Sequence, residues 1–321
     1  MGIISRVIRS AKSGYLKRYI MLNVPPISII YKAMLRRNYY QENWLNKVNK
    51  MGRKIFLESE RKLTNMQKKA INDLKQNGIA VLNFSDLFSE SEFEELRKLA
   101  ENWLEKQDIA NEIKNRNVDA VGEGKQFQIR PFTNHPVFDA NNKLMTISIN
   151  DKILDIVSEY MEIIPRLKNV QLWYNLPVKG LASYSQNWHK DPEDKKMVKV
   201  FLNIRDVDED SGPFHYVKKT NFGGELNNKF EIKPFQGVYP KNEEVERFKD
   251  SIFVGTGKAG TIVFCDTIGV HKGGYCKKKP RYLLMLSYGS NAANFKNKYS
   301  VLKDINLSKF SKNSKYVLGM E

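Results

Sequence analysis

The residues of this chain best suited to chemistry are Trp188-His189-Lys190-Asp191, His271 about eighty positions later, and Arg281 ten positions beyond that. In an extended strand, residues i and i+2 point to one face, so His189 and Asp191 present an imidazole and a carboxylate side by side. His271 can supply a second imidazole and complete one triangular face of an octahedral ion. Two His and one carboxylate, with the other positions open, suit a non-haem Fe(II) that must also bind dioxygen. Arg281 opens an apolar run in which Arg281, Leu283, Met285 and Ser287 share a face. A guanidinium at an otherwise buried strand position calls for an anionic partner, and its planar fork matches a carboxylate.

Those residues must be held by regular elements. A helix is predicted from Thr64 or Asn65 to about Lys75, with Met66, Ala70, Ile71 and Leu74 on one stripe and Asn77-Gly78 as its stop. A buried strand over 79–84 follows. A second helix opens at Ser89 or Ser91 and runs to about Lys106, its early Glu90, Glu92, Glu94 and Glu95 favouring the amino end. Residues 107–145 are polar and irregular and read as loops over the site, and 151–161 as another helix. From Val170 onward the pattern changes to short apolar runs at 170–175, 198–204, 213–217, 252–254, 260–265 and 281–288. Strands massed at the carboxyl side, with helices at the amino side, predict an α+β sandwich or jelly roll with helical cover.

Charge is uneven. The net value is +17. Residues 1–60 hold 12 Lys/Arg against 3 Asp/Glu, a balance of +9, and residues 276–321 hold 10 against 2, a balance of +8, so residues 61–275 are neutral. The first segment places Ile4, Ile8, Ala11 and Tyr15 at helical spacing with Arg6, Arg9 and Lys12 mostly elsewhere on the wheel. It reads as a basic helical extension that can lie on an anionic membrane, or dock on its own core. Residues 19–35 are broken by Pro25-Pro26 and Lys32 and are too short to span a bilayer. Two cysteines, Cys265 and Cys276, make no disulfide framework and fit a reducing compartment. The expected location is cytoplasmic, with peripheral membrane contact through the N-terminal segment left open.

The ordered blocks resemble the phytanoyl-CoA dioxygenase family of Fe(II)/2-oxoglutarate-dependent oxygenases. The resemblance spans residues 63–288: Asn77-Gly78-Ile79-Ala80-Val81-Leu82, Trp188-His189-Lys190-Asp191, the 206–214 segment with Ser211-Gly212-Pro213, Gly260-Thr261-Ile262-Val263-Phe264, Gly269-Val270-His271-Lys272-Gly273, and Arg281. It implies a double-stranded β-helix (cupin-like jelly roll) over 61–290, between the extension 1–60 and a basic tail 291–321. It also implies His189, Asp191 and His271 as Fe(II) ligands, Arg281 on the distal carboxylate of 2-oxoglutarate, and dioxygen as oxidant. The implied reaction hydroxylates a small molecule and releases succinate and CO2. Halogenating relatives carry a small residue in place of the carboxylate ligand, so Asp191 favours oxygen transfer.

Two departures stand out. Lys218-Lys219-Thr220-Asn221 replaces the family's Pro-Gly-Ser-His-like segment, and Leu283 stands where a small hydroxyl residue often follows the Arg. Another group must then complete the 2-oxoglutarate pocket, with Tyr174, Asn203 and Thr267 as candidates. Among the other conspicuous residues, His215 reads as structural, Trp188 as support for the metal loop, and Lys190 as pointing away from the metal. The rival readings are a metal-binding jelly roll or isomerase without 2-oxoglutarate turnover, and a nucleic-acid demethylase. The neutral middle of the chain, and the lack of a second Arg after Arg281 in its strand, speak against nucleic acid. The basic ends weakly favour an anionic or membrane-associated substrate.

Overall fold

The computed structural model describes residues 41–320 except 117, 119–124, 133, 134, 183, 192, 231–238, 294 and 295. The basic helix expected near residues 4–15, with its membrane-surface reading, lies outside the described residues.

The helices form where capping chemistry and periodicity coincide. After α1 (Lys50–Glu58), α2 (Asn65–Asn77) starts at Thr64, whose hydroxyl accepts from the Gln67 amide while the Gln67 side chain accepts from the Thr64 amide. This capping box satisfies two donors that the first turn leaves free. Gly78, at φ +75°, ends the helix in the left-handed region, where a β-carbon would be strained. The same reciprocal cap, Ser89 with Glu92, opens α3 (Glu90–Glu105), which follows β1 (Ile79–Asn83). α4 (Asp151–Met161) buries Ile153, Leu154, Ile156, Val157, Tyr160 and Met161.

The strands form two facing sheets. After the short β2 (Gln128–Ile129) come β3 (Arg166–Asn175), β4 (Val198–Asn203), β5 (Phe214–Val217), β6 (Ile252–Gly255), β7 (Thr261–Asp266), β8 (His271–Gly273) and β9 (Arg281–Gly289). The larger sheet runs β1-β7-β4-β9-β3-β2 and the smaller β6-β5-β8, with every pairing antiparallel. One face of the larger sheet, with Leu172, Val200, Ile262 and Leu284, joins the helices in the main core. Its other face, with Phe201, Val263, Leu283 and Met285, meets Phe214 and Tyr216 of the smaller sheet. All nine residues of β9 are buried, as a strand covered on both sides requires. The fold is α+β. Among the described residues, hydrogen bonding does not close the sheets into a barrel.

Both ends of the described chain pack on this core. Trp44 is fully buried, and α5 (Lys312–Leu318) buries Tyr316, Val317 and Leu318. The buried Asp194 carboxylate ties in the Trp44 end, accepting from Trp44 Nε1 (3.1 Å), Ser290 N (2.6 Å), Ser290 Oγ (3.0 Å) and Lys195 N (2.7 Å). Removing that acceptor leaves several buried donors without a partner. Asp194→Ala is therefore expected to cost about 3 kcal/mol of unfolding free energy in a denaturant titration. A loss under about 1 kcal/mol would contradict this account of how residue 44 is held.

Candidate metal centre

His189 and His271 come from neighbouring chain segments. The His189 amide donates to the His271 carbonyl (2.8 Å), and the His271 amide donates back (2.9 Å). This exchange extends the smaller sheet by one position beside β8. The Asp191 amide donates to the Thr267 carbonyl (2.9 Å), which holds the i, i+2 pair against the loop before β8. The three side chains then converge between the sheets. Asp191 Oδ1 lies 3.8 Å from His189 Nε2, Asp191 Oδ2 lies 3.7 Å from His271 Nε2, and the three donor atoms fall within 4.8 Å of one another.

The imidazoles are oriented for ligation. His189 Nδ1 meets the Asn187 carbonyl at 2.8 Å and His271 Nδ1 meets the Gly269 carbonyl at 2.9 Å. Only an N–H can face a carbonyl, so both rings carry the proton on Nδ1 and offer the Nε2 lone pair inward. Burial pushes both imidazoles below the ordinary histidine range, so they are neutral near pH 7. Burial opposes ionisation of Asp191, but the Lys199 ammonium outweighs it, joined by His271 and His189 at pH values low enough to protonate them, and the carboxyl is held well below the usual carboxylate range. The Lys199 ammonium donates to Asp191 Oδ2 at 2.6 Å.

The loop between β7 and β8 is fixed from beneath. The Asp266 carboxyl accepts from Tyr160 Oη (2.6 Å) and from the amides of Met197 (3.2 Å) and Ile268 (3.1 Å). Tyr216 Oη donates to the Asp266 carbonyl, and a β-carbon at Gly269 would lie 2.0 Å from Tyr216 Oη, so only glycine fits. Asp266 therefore positions Thr267 and Gly269, whose carbonyls hold Asp191 and His271.

Burial raises the Asp266 carboxyl to about 6 against those hydrogen bonds. Its folded pKa thus lies above the unfolded value. The stability that Asp266 contributes is full below about pH 4 and is lost as pH rises through about 6. Asp266→Asn should therefore gain on the wild type between pH 4 and pH 7, by on the order of 2 kcal/mol. Unfolding titrations at the two pH values check this, and a difference independent of pH would contradict it.

Arg281 begins β9 directly opposite Asn175 of β3, which in turn pairs with Gln128 of β2. Arg281 is 6% exposed and makes no ion pair among the described residues. Its Nη1 donates to the Gly212 carbonyl, which the left-handed turn at Gly212 (φ +66°) exposes. Its Nε has no partner among the described residues. Gln128 Nε2 donates to Asn175 Oδ1 at 3.1 Å, and Asn175 Nδ2, Asn203 Nδ2 and Trp173 Nε1 have no partner among the described residues. All four residues line one cavity of about 100 Å³ with His189, Asp191 and His271. Each such donor costs about 1–3 kcal/mol if left unmet, so a cavity offering four donors fits a ligand rich in acceptors.

Of the three pocket candidates, the structure brings only Asn203 to this cavity. Tyr174 points to the opposite face of β3, where its ring packs edge-on against Tyr282 at 5.7 Å in the helix-side core. Thr267 is buried outside the lining and acts through its carbonyl. Sequence reasoning missed Asn175, Trp173, Gln128 and Lys199. Lys190 points away from the triad and donates to Asn227 Oδ1 and the Phe230 carbonyl, both at 3.1 Å. Trp188 is buried with Val217, Phe230, Val245 and Val270. His215 stands edge-on to Trp188 and is not among the cavity-lining residues. Thr220 and Asn221 brace the fold: Thr220 Oγ1 accepts from the Val270 amide, and Asn221 donates to Tyr160 Oη.

No family model matches this chain, and no curated protein matches it in sequence. It is similar to solved structures at low identity. One is the non-heme alpha-ketoglutarate-dependent epimerase SnoN from nogalamycin biosynthesis, with 14% identity over 70% of this chain and 83% of that one and a TM-score of 0.48. The carbocyclase SnoK from the same biosynthesis shows 17% identity over 77% and 92%, with a TM-score of 0.48. EctD from S. alaskensis, solved with 2-oxoglutarate and 5-hydroxyectoine, shows 19% identity over 73% and 80%, with a TM-score of 0.48. Likeness at this level assigns neither activity nor substrate, which rest on the residues of the site.

Proposed function

We propose that this protein is a non-haem Fe(II)- and 2-oxoglutarate-dependent dioxygenase of the phytanoyl-CoA dioxygenase kind that hydroxylates a small molecule. The observation that carries the reading is one cavity holding both a triad of two neutral imidazoles and a carboxylate and a buried Arg281 with no counter-ion among the described residues. A metal site alone needs no such arginine, and a structural arginine needs no such triad. We read the strand orders β7-β4-β9-β3 and β6-β5-β8-His189 as the two sheets of a double-stranded β-helix, with the triad between them.

The residues present fit both absent groups. His189, Asp191 and His271 offer two neutral imidazoles and one carboxylate, a donor set that suits Fe(II) and leaves positions open. Arg281 and the adjacent Asn175 amide would hold the distal carboxylate of 2-oxoglutarate, and Asn203 and Trp173 add donors along the same wall. Iron and 2-oxoglutarate, when bound, supply the activation of dioxygen and the release of succinate and CO2. The protein's own share is placement and exclusion of water. Phe201, Phe214, Val263 and Leu283 line the cavity with apolar surface, which strengthens each polar contact inside it.

The direct test is succinate formation by purified protein in air. It should require both Fe(II) and 2-oxoglutarate, and it should proceed slowly even without the true substrate. If the metal-loaded protein neither bound nor consumed 2-oxoglutarate, the reading would fail.

A further inference from the structure

Asp191 does not face the metal position alone. Lys199 lies on β4 opposite Ser287 of β9 and Cys265 of β7, and its side chain reaches into the space between the sheets. Its 2.6 Å contact with Asp191 Oδ2 is the one hydrogen bond the ammonium makes among the described residues. Both carboxylate oxygens face the triad, Oδ1 at 3.8 Å from His189 Nε2 and Oδ2 at 3.7 Å from His271 Nε2, but only Oδ2 is also bonded to Lys199. The two oxygens are therefore inequivalent: one is held by a cation, and the other is free to ligate.

We propose that Lys199 is a positioning residue that retains Oδ2 and confines Asp191 to a single metal–oxygen bond. The inference rests on the site reading above. An unrestrained carboxylate can close on a metal with both oxygens and occupy a second coordination position. A chelating co-substrate needs two open positions beside the three protein ligands, so a two-oxygen carboxylate competes with it. A carboxylate shared with an ammonium is also the poorer donor. Partners that accept from a metal ligand raise its basicity, whereas a cation lowers it, so the sign here is opposite to the usual one. Lys199 thus weakens metal binding and favours co-substrate binding on the loaded protein.

The test uses Co(II) as probe, with metal affinity followed by its absorption spectrum and 2-oxoglutarate affinity measured on Co(II)-loaded protein. Lys199→Met, which keeps the length but removes charge and donor, should bind Co(II) roughly tenfold tighter and 2-oxoglutarate roughly tenfold weaker. Lys199→Arg, which keeps both, should stay within roughly threefold of wild type in each. A merely structural lysine would move protein stability without this opposed pair of shifts.

If Lys199→Met leaves the 2-oxoglutarate affinity of loaded protein within roughly threefold of wild type, the inference is overturned. Tighter 2-oxoglutarate binding or weaker Co(II) binding overturns it equally. Lys199→Gln is the second variant should the methionine form not fold. Wild-type protein that takes up no Co(II), or no 2-oxoglutarate once loaded, would instead defeat the site reading itself.

Discussion

Asp191→Ala is expected to lower 2-oxoglutarate turnover by about three orders of magnitude or more, with succinate release as the measurement. The effect has two sources that act together. The substitution removes the only anionic donor of the triad, and it strands the Lys199 ammonium beside the metal position. A lone buried cation repels the incoming ion and also costs the metal-free protein about 3–5 kcal/mol. The combined variant Asp191→Ala/Lys199→Met separates the two sources, because it should regain most of the lost stability in a denaturant titration yet stay inactive. Asp191→Ala protein that still coupled 2-oxoglutarate consumption to product formation would remove the carboxylate from the mechanism.

Much of this site is legible in the sequence, and the reason is chemical. His189 and Asp191 precede the apolar run 198–204, His271 follows the run 260–265 and Arg281 opens the run 281–288, so it is the ordered set rather than any one residue that marks a candidate site. The helices are legible for a different reason, since Thr64, Gly78 and Ser89 carry their boundaries locally in caps. What escapes is information held in register. Tyr174 and Asn175 are adjacent on β3 and face opposite ways, and only the pairing of Asn175 with Arg281 across more than one hundred residues decides which lines the cavity. Lys199 reads as an ordinary alternating polar position of β4 until Asp191 is placed beside it.

The short strands escape because they have no period of their own. β8 is three residues, His271-Lys272-Gly273, and exists because β5 and the His189 segment flank it. β2 is two residues within a stretch that reads as polar loop. Helix α5 is hidden in a segment whose charge reads as a tail, although Tyr316, Val317 and Leu318 form its buried face.

Arg281→Met gives the sharpest separation between a site residue and a structural one. The guanidinium is buried, has one backbone acceptor, leaves Nε without a partner and faces no carboxylate among the described residues. A charge held this way destabilises the empty protein, and an apolar side chain of similar length should leave stability unchanged or raise it by about 1 kcal/mol. Against 2-oxoglutarate the sign reverses. Losing a charge-assisted, two-point contact to a carboxylate in a closed site removes about 3–4 kcal/mol, or roughly a hundredfold to a thousandfold in affinity. The pair of measurements, melting of metal-free protein and titration of metal-loaded protein with 2-oxoglutarate, should therefore move in opposite directions. A structural arginine predicts the contrary, a less stable protein with its 2-oxoglutarate affinity intact. Only an arginine kept for an absent anion costs the fold something and returns it on binding.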